Sequence, residues 1–252
     1  VKNLYPDVWF NYNQHHLTVS ERITLASQAI NAKSAPDLIM IYFEEPDHQG
    51  HDFGPQSPHT KDALRNMDAH LQDLWENIQQ GPRKDSVNLI VVSDHGMTLV
   101  SPERKIECKK YLNPKWYERV EGNLPAQIYC KKGYVDSVYN ALKDLPHQRV
   151  WRKKDIPAYL HYGTHVNIGD IVVDPQEGWL VTDDKVKTGG MHGYDPTYSD
   201  MQAIFRAMGP SFRHITYPHF QNVNVYALLC HLIGITPAPN DGNFQEVSPL
   251  LN

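Results

Sequence analysis

Between residues 37 and 93 the chain reads as strand, helix, strand, and that order limits the folds open to it. Residues Asp37 to Phe43 and Asn88 to Ser93 are short apolar runs that do not alternate with polar residues. Such runs are typical of strands covered on both faces, as in a parallel sheet. Between them Leu64, Met67, Leu71, Leu74 and Ile78 recur at spacings of three and four, the signature of a helix with one apolar stripe. Ser57 is placed to cap that helix, Pro58 suits its first position, and Gly81-Pro82 stops it. A crossover of this length predicts a right-handed βαβ unit. The expected class is therefore α/β, with a mostly parallel sheet flanked by helices.

The remaining patterns fit one such fold carrying a less regular insertion. Thr18-Val19-Ser20-Glu21 reads as a capping box, followed by Ile23, Ala26 and Ile30 on one helical face. From about residue 101 to 187 a smaller mixed α/β excursion is expected, with strands at Ala126–Tyr129, Asp170–Val173 and Trp179–Val181 and a helix at Val135–Leu142. Beyond Gly189-Gly190 come a strand-like stretch, Met201–Arg206, and a last helix, Val223–Ile233, which ends at Gly234.

Composition removes several classes of function. The formal charge of -5 provides no basic surface to hold a nucleic-acid backbone by counterion release. No apolar run approaches the length needed to cross a bilayer, so no transmembrane segment is expected. The three cysteines are widely spaced and odd in number, against a disulfide framework or a Cys-x-x-Cys zinc knuckle. Histidine is the outlier: there are 14, several beside aspartates.

Both runs lead into candidate metal ligands. Phe43 is followed by Glu44-Glu45-Pro46-Asp47-His48-Gln49-Gly50-His51, and Val92 by Ser93-Asp94-His95-Gly96-Met97. Open α/β sheets gather their sites at the carboxyl ends of strands, so the two clusters should face one crevice. A third cluster, Gly190-Met191-His192-Gly193-Tyr194-Asp195, sits in a glycine-flanked turn. Mixed histidine and aspartate ligands without thiolates suit zinc, and a pair of ions can clamp both oxygens of an in-line phosphoryl displacement. Each piece alone has an ordinary reading: Asp47 and His51 as a chance spacing, Asp94 and His95 as a hydrogen-bonded couple, His192 as a turn residue. It is their joint placement that argues for a site.

Glu44-Glu45-Pro46-Asp47 with Gly50-His51 and Gly54-Pro55, then Ser93-Asp94-His95-Gly96-Met97, then His192-Gly193-Tyr194-Asp195 resemble the nucleotide pyrophosphatase/phosphodiesterase family of the alkaline phosphatase superfamily. Met201-Gln202-Ala203-Ile204-Phe205, Gly209-Pro210 and Thr236-Pro237-Ala238-Pro239-Asn240-Asp241-Gly242 extend the resemblance over nearly the whole chain. The resemblance implies an alkaline-phosphatase-like fold and a two-zinc hydrolase acting on nucleotide phosphodiester or pyrophosphate bonds. Asp47, His51 and His192 match the ligands of one zinc, and Asp94 and His95 match two ligands of the other. His48 falls on no motif position and is left as a solvated neighbour. Tyr12-Asn13 looks like the family's Tyr-Asn pair, whose tyrosine stacks on the nucleobase; a core aromatic is an equal reading of Tyr12.

The family's threonine nucleophile and one further aspartate ligand have no match here, and Thr98 sits in no strand-to-helix turn that would qualify it. The catalytic nucleophile is thus unassigned within the chain. Residues 1–252 are expected to be the C-terminal portion of one catalytic domain, lacking the N-terminal part of the fold and weakly active or inactive alone. The family's usual setting implies an extracytoplasmic location. Phospholipid or choline phosphodiesters are the alternative substrates, and a metal-binding module without catalysis is the alternative outside enzymes.

Overall fold

A computed structural model describes residues 5–11 and 16–252. Tyr12 lies outside the described residues. The elements run α1 (Val19–Asn31), α2 (Asp47–Phe53), α3 (Pro58–Gln80), β1 (Leu89–Val92), β2 (Thr98–Val100), β3 (Lys105–Ile106), β4 (Tyr117–Glu121) and β5 (Ala126–Cys130). They continue through α4 (Val135–Leu142), β6 (Gln148–Arg152), β7 (Ile171–Pro175), β8 (Leu180–Val181), β9 (Gly189–Met191), β10 (Phe205–Met208) and α5 (Asn224–Leu232). The chain divides into two compact units, one of residues up to Glu44 with Leu64–Val92 and Phe205–Asn252, the other of Glu45–Ala63 with Ser93–Ile204.

In the first unit the local signals act as the sequence suggests. Thr18 caps α1 through a reciprocal box: its hydroxyl accepts from the Glu21 amide at 3.3 Å, and Glu21 accepts from the Thr18 amide at 2.8 Å. Ile23 and Ala26 bury against Leu74 and Ile78 of α3, with Val87 and Leu89 alongside. On the other face of β1, Ile90 packs with Phe205 and Ala207 of β10 against Leu228 of α5. Apolar packing on both faces, though only partial burial, explains why β1 does not alternate.

Two expectations are corrected here. β1 pairs antiparallel with β10, Leu89 opposite Met208, and residues 37–43 form no regular strand beside it. That stretch is covered on one side only: Ile39, Ile41 and Phe43 pack inward, while Leu38, Met40 and Tyr42 are 43%, 84% and 63% exposed. An unbroken apolar run cannot distinguish a doubly covered strand from a singly covered one whose outer face is also apolar. Nor does double coverage specify strand direction. The α/β class holds, with small sheets that are mainly antiparallel; among the described residues β3 and β8 pair parallel. In α3, Leu74 and Ile78 are buried as expected, but Leu64 at the start of the stripe is half exposed.

The second unit holds the excursion. Its antiparallel sheet has the order β4-β5-β7-β6, with Arg149 of β6 opposite Asp174 of β7. Ile128, Ile171, Val173 and Val150 pack with Val138 and Leu142 of α4 into the largest buried cluster among the described residues. The strands and helix expected at 126, 135, 170 and 179 are present within a residue or two.

Candidate metal centre

All five expected ligands lie in the second unit. Asp47 opens α2 and His51 follows one turn later, so the spacing of four that reads as a tail after a strand is a helical face. A carboxylate in the first turn also suits the helix dipole. Gly54, at φ +88°, ends the helix, and its carbonyl accepts the Thr60 hydroxyl at 2.8 Å. Ser57 caps the next helix as expected, its hydroxyl accepting from the Thr60 amide at 3.1 Å.

Glycine lets α2 lie directly on β9. A Cβ at Gly189 would fall 2.2 Å from the His51 carbonyl oxygen, and one at Gly190 would fall 2.5 Å from that of Gly50. β9 pairs with β2, Thr98 opposite Met191, which carries His192 toward the loop that follows β1. That loop leaves strand geometry at Ser93, so Asp94 and His95 escape the strict up-down alternation of a strand. It is tied down by Ser93 and Ile204, bonded both ways, and by the Gly96 amide donating to the Met201 carbonyl at 3.1 Å. Gly96 is required there, because a Cβ would lie 2.0 Å from the Asp200 carbonyl oxygen.

The ring orientations then follow. His51 Nδ1 is 2.8 Å from the Gly190 carbonyl, and His95 Nδ1 is 2.8 Å from that of Gly96. A carbonyl only accepts, so each Nδ1 carries a proton and each ring turns its Nε2 inward. Asp47 Oδ1 has His51 Nε2 at 3.4 Å, His192 Nε2 at 3.7 Å and His95 Nε2 at 4.0 Å, and His192 Nε2 lies 3.2 Å from His51 Nε2. Oδ1 itself is buried and has no hydrogen-bond partner. The His95 and His192 rings stack at 3.4 Å and 10°. Burial, followed by the proximity of His95, lowers the His192 pKa and keeps that imidazole neutral.

Asp47 Oδ1, buried and without a hydrogen-bond partner, therefore meets the inward-turned Nε2 atoms of His51 and His95 with His192 Nε2 beside them, an arrangement that a cation would complete. Tetrahedral zinc with bonds of about 2.0–2.1 Å sets its ligand atoms roughly 3.3–3.4 Å apart. The Asp47, His51 and His192 atoms at 3.2, 3.4 and 3.7 Å lie within a few tenths of an ångström of that spacing. Asp94 stands beside them, its Oδ1 3.5 Å from His95 Nε2, with a side chain 81% exposed. Among the described residues the structure thus brings together Asp47, His51 and His192, with Asp94 and His95 adjoining them. His48 points instead toward Asp52 at 3.7 Å, both exposed. Sequence reasoning missed the carbonyls of Gly190 and Gly96, for which no side chain gives a signal. It also missed Asp195, whose buried carboxylate is bonded to Arg149, Tyr159 and Thr197.

An α/β fold whose turns direct histidine and aspartate side chains at one half-buried point is the framework of a metal-centred protein. Residues 2–195 match the family model for type I phosphodiesterase / nucleotide pyrophosphatase. The chain belongs to that family. It is 34% identical over 252 residues to human ectonucleotide pyrophosphatase/phosphodiesterase family member 5, covering 98% of this chain and 53% of that protein. It is 32% identical over 257 residues to bovine bis(5'-adenosyl)-triphosphatase, covering all of this chain and 56% of that one. The chain spans about half the length of these curated relatives. Murine ectonucleotide pyrophosphatase/phosphodiesterase 5, solved as an inactive variant in complex with AMP, superposes at a TM-score of 0.92 with 34% identity, over 100% of this chain and 68% of that one.

Proposed function

We propose that this chain supplies most of a two-zinc site that hydrolyses nucleotide phosphodiester and pyrophosphate bonds. The observation that carries the reading is Asp47 Oδ1, buried, unbonded and faced by three imidazole Nε2 atoms. Asp47, His51 and His192 would hold one zinc, and Asp94 and His95 would supply two ligands of the second. Bound zinc would stabilise charge on the phosphoryl oxygens and the leaving oxygen. The chain's own contribution is orientation: the Gly190 and Gly96 carbonyls hold two protons on Nδ1, which keeps Nε2 available before any ion arrives. On this reading the threonine nucleophile and a further aspartate come from outside these 252 residues.

Relatives named for nucleotide pyrophosphatase and bis(5'-adenosyl)-triphosphatase activity, and one solved with AMP, support a nucleotide substrate. Tyr12 is assigned to stacking on the base. Relatives named as ecto-enzymes and venom phosphodiesterases support an extracytoplasmic setting. Among the described residues no helix is long and apolar enough to cross a membrane.

The test is zinc titration together with hydrolysis of a p-nitrophenyl phosphodiester, on this chain and on the full-length gene product, each against Asp47→Ala. Tight zinc binding in both, lost in Asp47→Ala, with turnover confined to the longer protein, is the expected result. Zinc binding that ignores Asp47→Ala would sink the ligand assignment, and equal turnover by both chains would place the nucleophile within these residues.

A further inference from the structure

The proposed metal ligand His192 is followed three residues later by a carboxylate, Asp195, outside the Asp47, His51 and His192 cluster. The Asp195 side chain has no exposed surface, yet it is ionised and saturated with donors. Its Oδ2 accepts from Arg149 Nη2 at 2.6 Å and from the Tyr159 hydroxyl at 2.5 Å. Its Oδ1 accepts from the Thr197 amide at 2.8 Å and from the Thr197 hydroxyl at 2.6 Å. Arg149 Nη2 also donates to Asp174 Oδ2 at 2.5 Å, and Arg149 and Asp174 face each other across β6 and β7. A buried carboxylate is costly unless every lone pair is used. Burying one merely to close a surface turn would be a poor exchange.

The turn itself explains what the carboxylate accomplishes. Gly193, at φ +102°, lies between His192 and two buried residues, Tyr194 at 5% and Asp195 at 3% exposure. His192 is therefore carried on a short arm whose far end is fixed. Unlike His51 and His95, its ring makes no Nδ1 bond to a carbonyl among the described residues; its direction comes from the arm and from the stack on His95. We infer that Asp195, held by Arg149 and Tyr159 of the excursion, is a positioning residue for the metal ligand His192. The inference rests on the metal reading of Asp47, His51 and His192. It gives the excursion a task in the site: its sheet anchors one ligand of the ion.

The experiment is a zinc titration, by calorimetry or chelator competition, on the wild-type chain and on Asp195→Asn, Tyr159→Phe, His192→Ala and the double variant His192→Ala/Asp195→Asn. Asn keeps the shape of Asp195 but turns an NH2 group toward donors, so it breaks the anchor without opening a cavity. Partners that orient metal ligands typically change affinity about 10–100-fold when removed. A loss in that range is expected for Asp195→Asn. Tyr159→Phe, which removes one donor at a half-exposed ring and opens no cavity, should lose affinity in the same direction but less. The decisive readout is the double variant. If Asp195 acts through His192, Asp195→Asn costs no further affinity once His192 is gone. An equal loss in both backgrounds would show general damage and overturn the inference, as would unchanged affinity in Asp195→Asn and Tyr159→Phe while His192→Ala binds weakly. Failure of the wild type to bind zinc, or indifference to His192→Ala, would overturn the metal reading itself and this inference with it.

Discussion

Substituting Gly190 by Ala and Gly50 by Ala puts a methyl group into the same seam from opposite sides, and the two should behave differently. At Gly50 the new Cβ meets only Met97, Sδ at 2.4 Å and Cε at 3.0 Å, the movable end of a flexible side chain. Replacing a helical glycine also favours the helix by roughly 1 kcal/mol, which offsets the cost of moving Met97. At Gly190 the new Cβ meets Met97 Sδ at 2.3 Å and also the Gly50 carbonyl oxygen at 2.5 Å. That carbonyl is bonded to the Gly54 amide at 2.8 Å and cannot move without α2. Reaching even a tight 3.0 Å contact needs a retreat of about 0.5 Å, and overpacking of this kind costs about 1–3 kcal/mol. Metal ligands tolerate only about 0.2 Å, so an α2 shifted by that amount takes Asp47 and His51 out of position. We therefore expect Gly190→Ala to unfold about 1–3 kcal/mol more easily and to bind zinc about 10–100-fold more weakly, with Gly50→Ala close to wild type in both. Adding Met97→Ala separates the causes: it should relieve Gly50→Ala fully and leave Gly190→Ala impaired. Denaturant unfolding in chelator, paired with zinc titration, measures both quantities. If Gly190→Ala proved as mild as Gly50→Ala, or were rescued by Met97→Ala, the helix would not be seated as argued.

Zinc at a hundred times its dissociation constant should stabilise the chain by about 2.7 kcal/mol, a gain read as a rise in melting temperature that Asp47→Ala abolishes; an equal rise in the variant would refute the assignment. Asp195 is ionised well below the usual carboxylate range by bonds from Thr197, Tyr159 and Arg149 that outweigh its burial, so its stabilisation is present above the unfolded carboxylate pKa and is lost as pH falls toward the folded value. The neighbouring Asp174, raised by burial, works in the opposite sense, so the comparison is the acid limb of unfolding in wild type against Asp195→Asn: the variant should lose less stability between pH 5 and pH 2 (roughly the window in which carboxylates protonate), and superimposable limbs would refute the linkage. Burial pushes the Cys108 thiol up to about 12 and Cys130 to about 11. At pH 8 a thiol of pKa about 12 is ionised to about 1 part in 10⁴, so native Cys108 should resist iodoacetamide until the chain is unfolded; mass mapping of rapid alkylation in the native protein would contradict that.

The proposed ligands are legible in the sequence because their signal is chemical: an aspartate or histidine states its capacity wherever the fold puts it. Their aim is not. Any residue supplies a carbonyl, so the bonds from His51 to Gly190 and from His95 to Gly96 leave no mark on residue type. What does leave a mark is the room they need. Gly50, Gly96, Gly189 and Gly190 all sit where a Cβ would enter a neighbouring group, and the helix α2, with Gly50 inside it, carries little helical signal of its own. The strand errors have a related origin. Apolar character at 37–43 and 89–92 reported that side chains pack, but burial on one face or two and the direction of the partner depend on elements far along the chain, β10 among them. The excursion shows the converse case. Its strands and helix were readable one by one, yet nothing local joined Arg149 and Tyr159 to an aspartate 46 and 36 residues away. Where a residue's role is its own chemistry, sequence suffices; where the role is to direct another residue, it emerges only when the fold closes the distance.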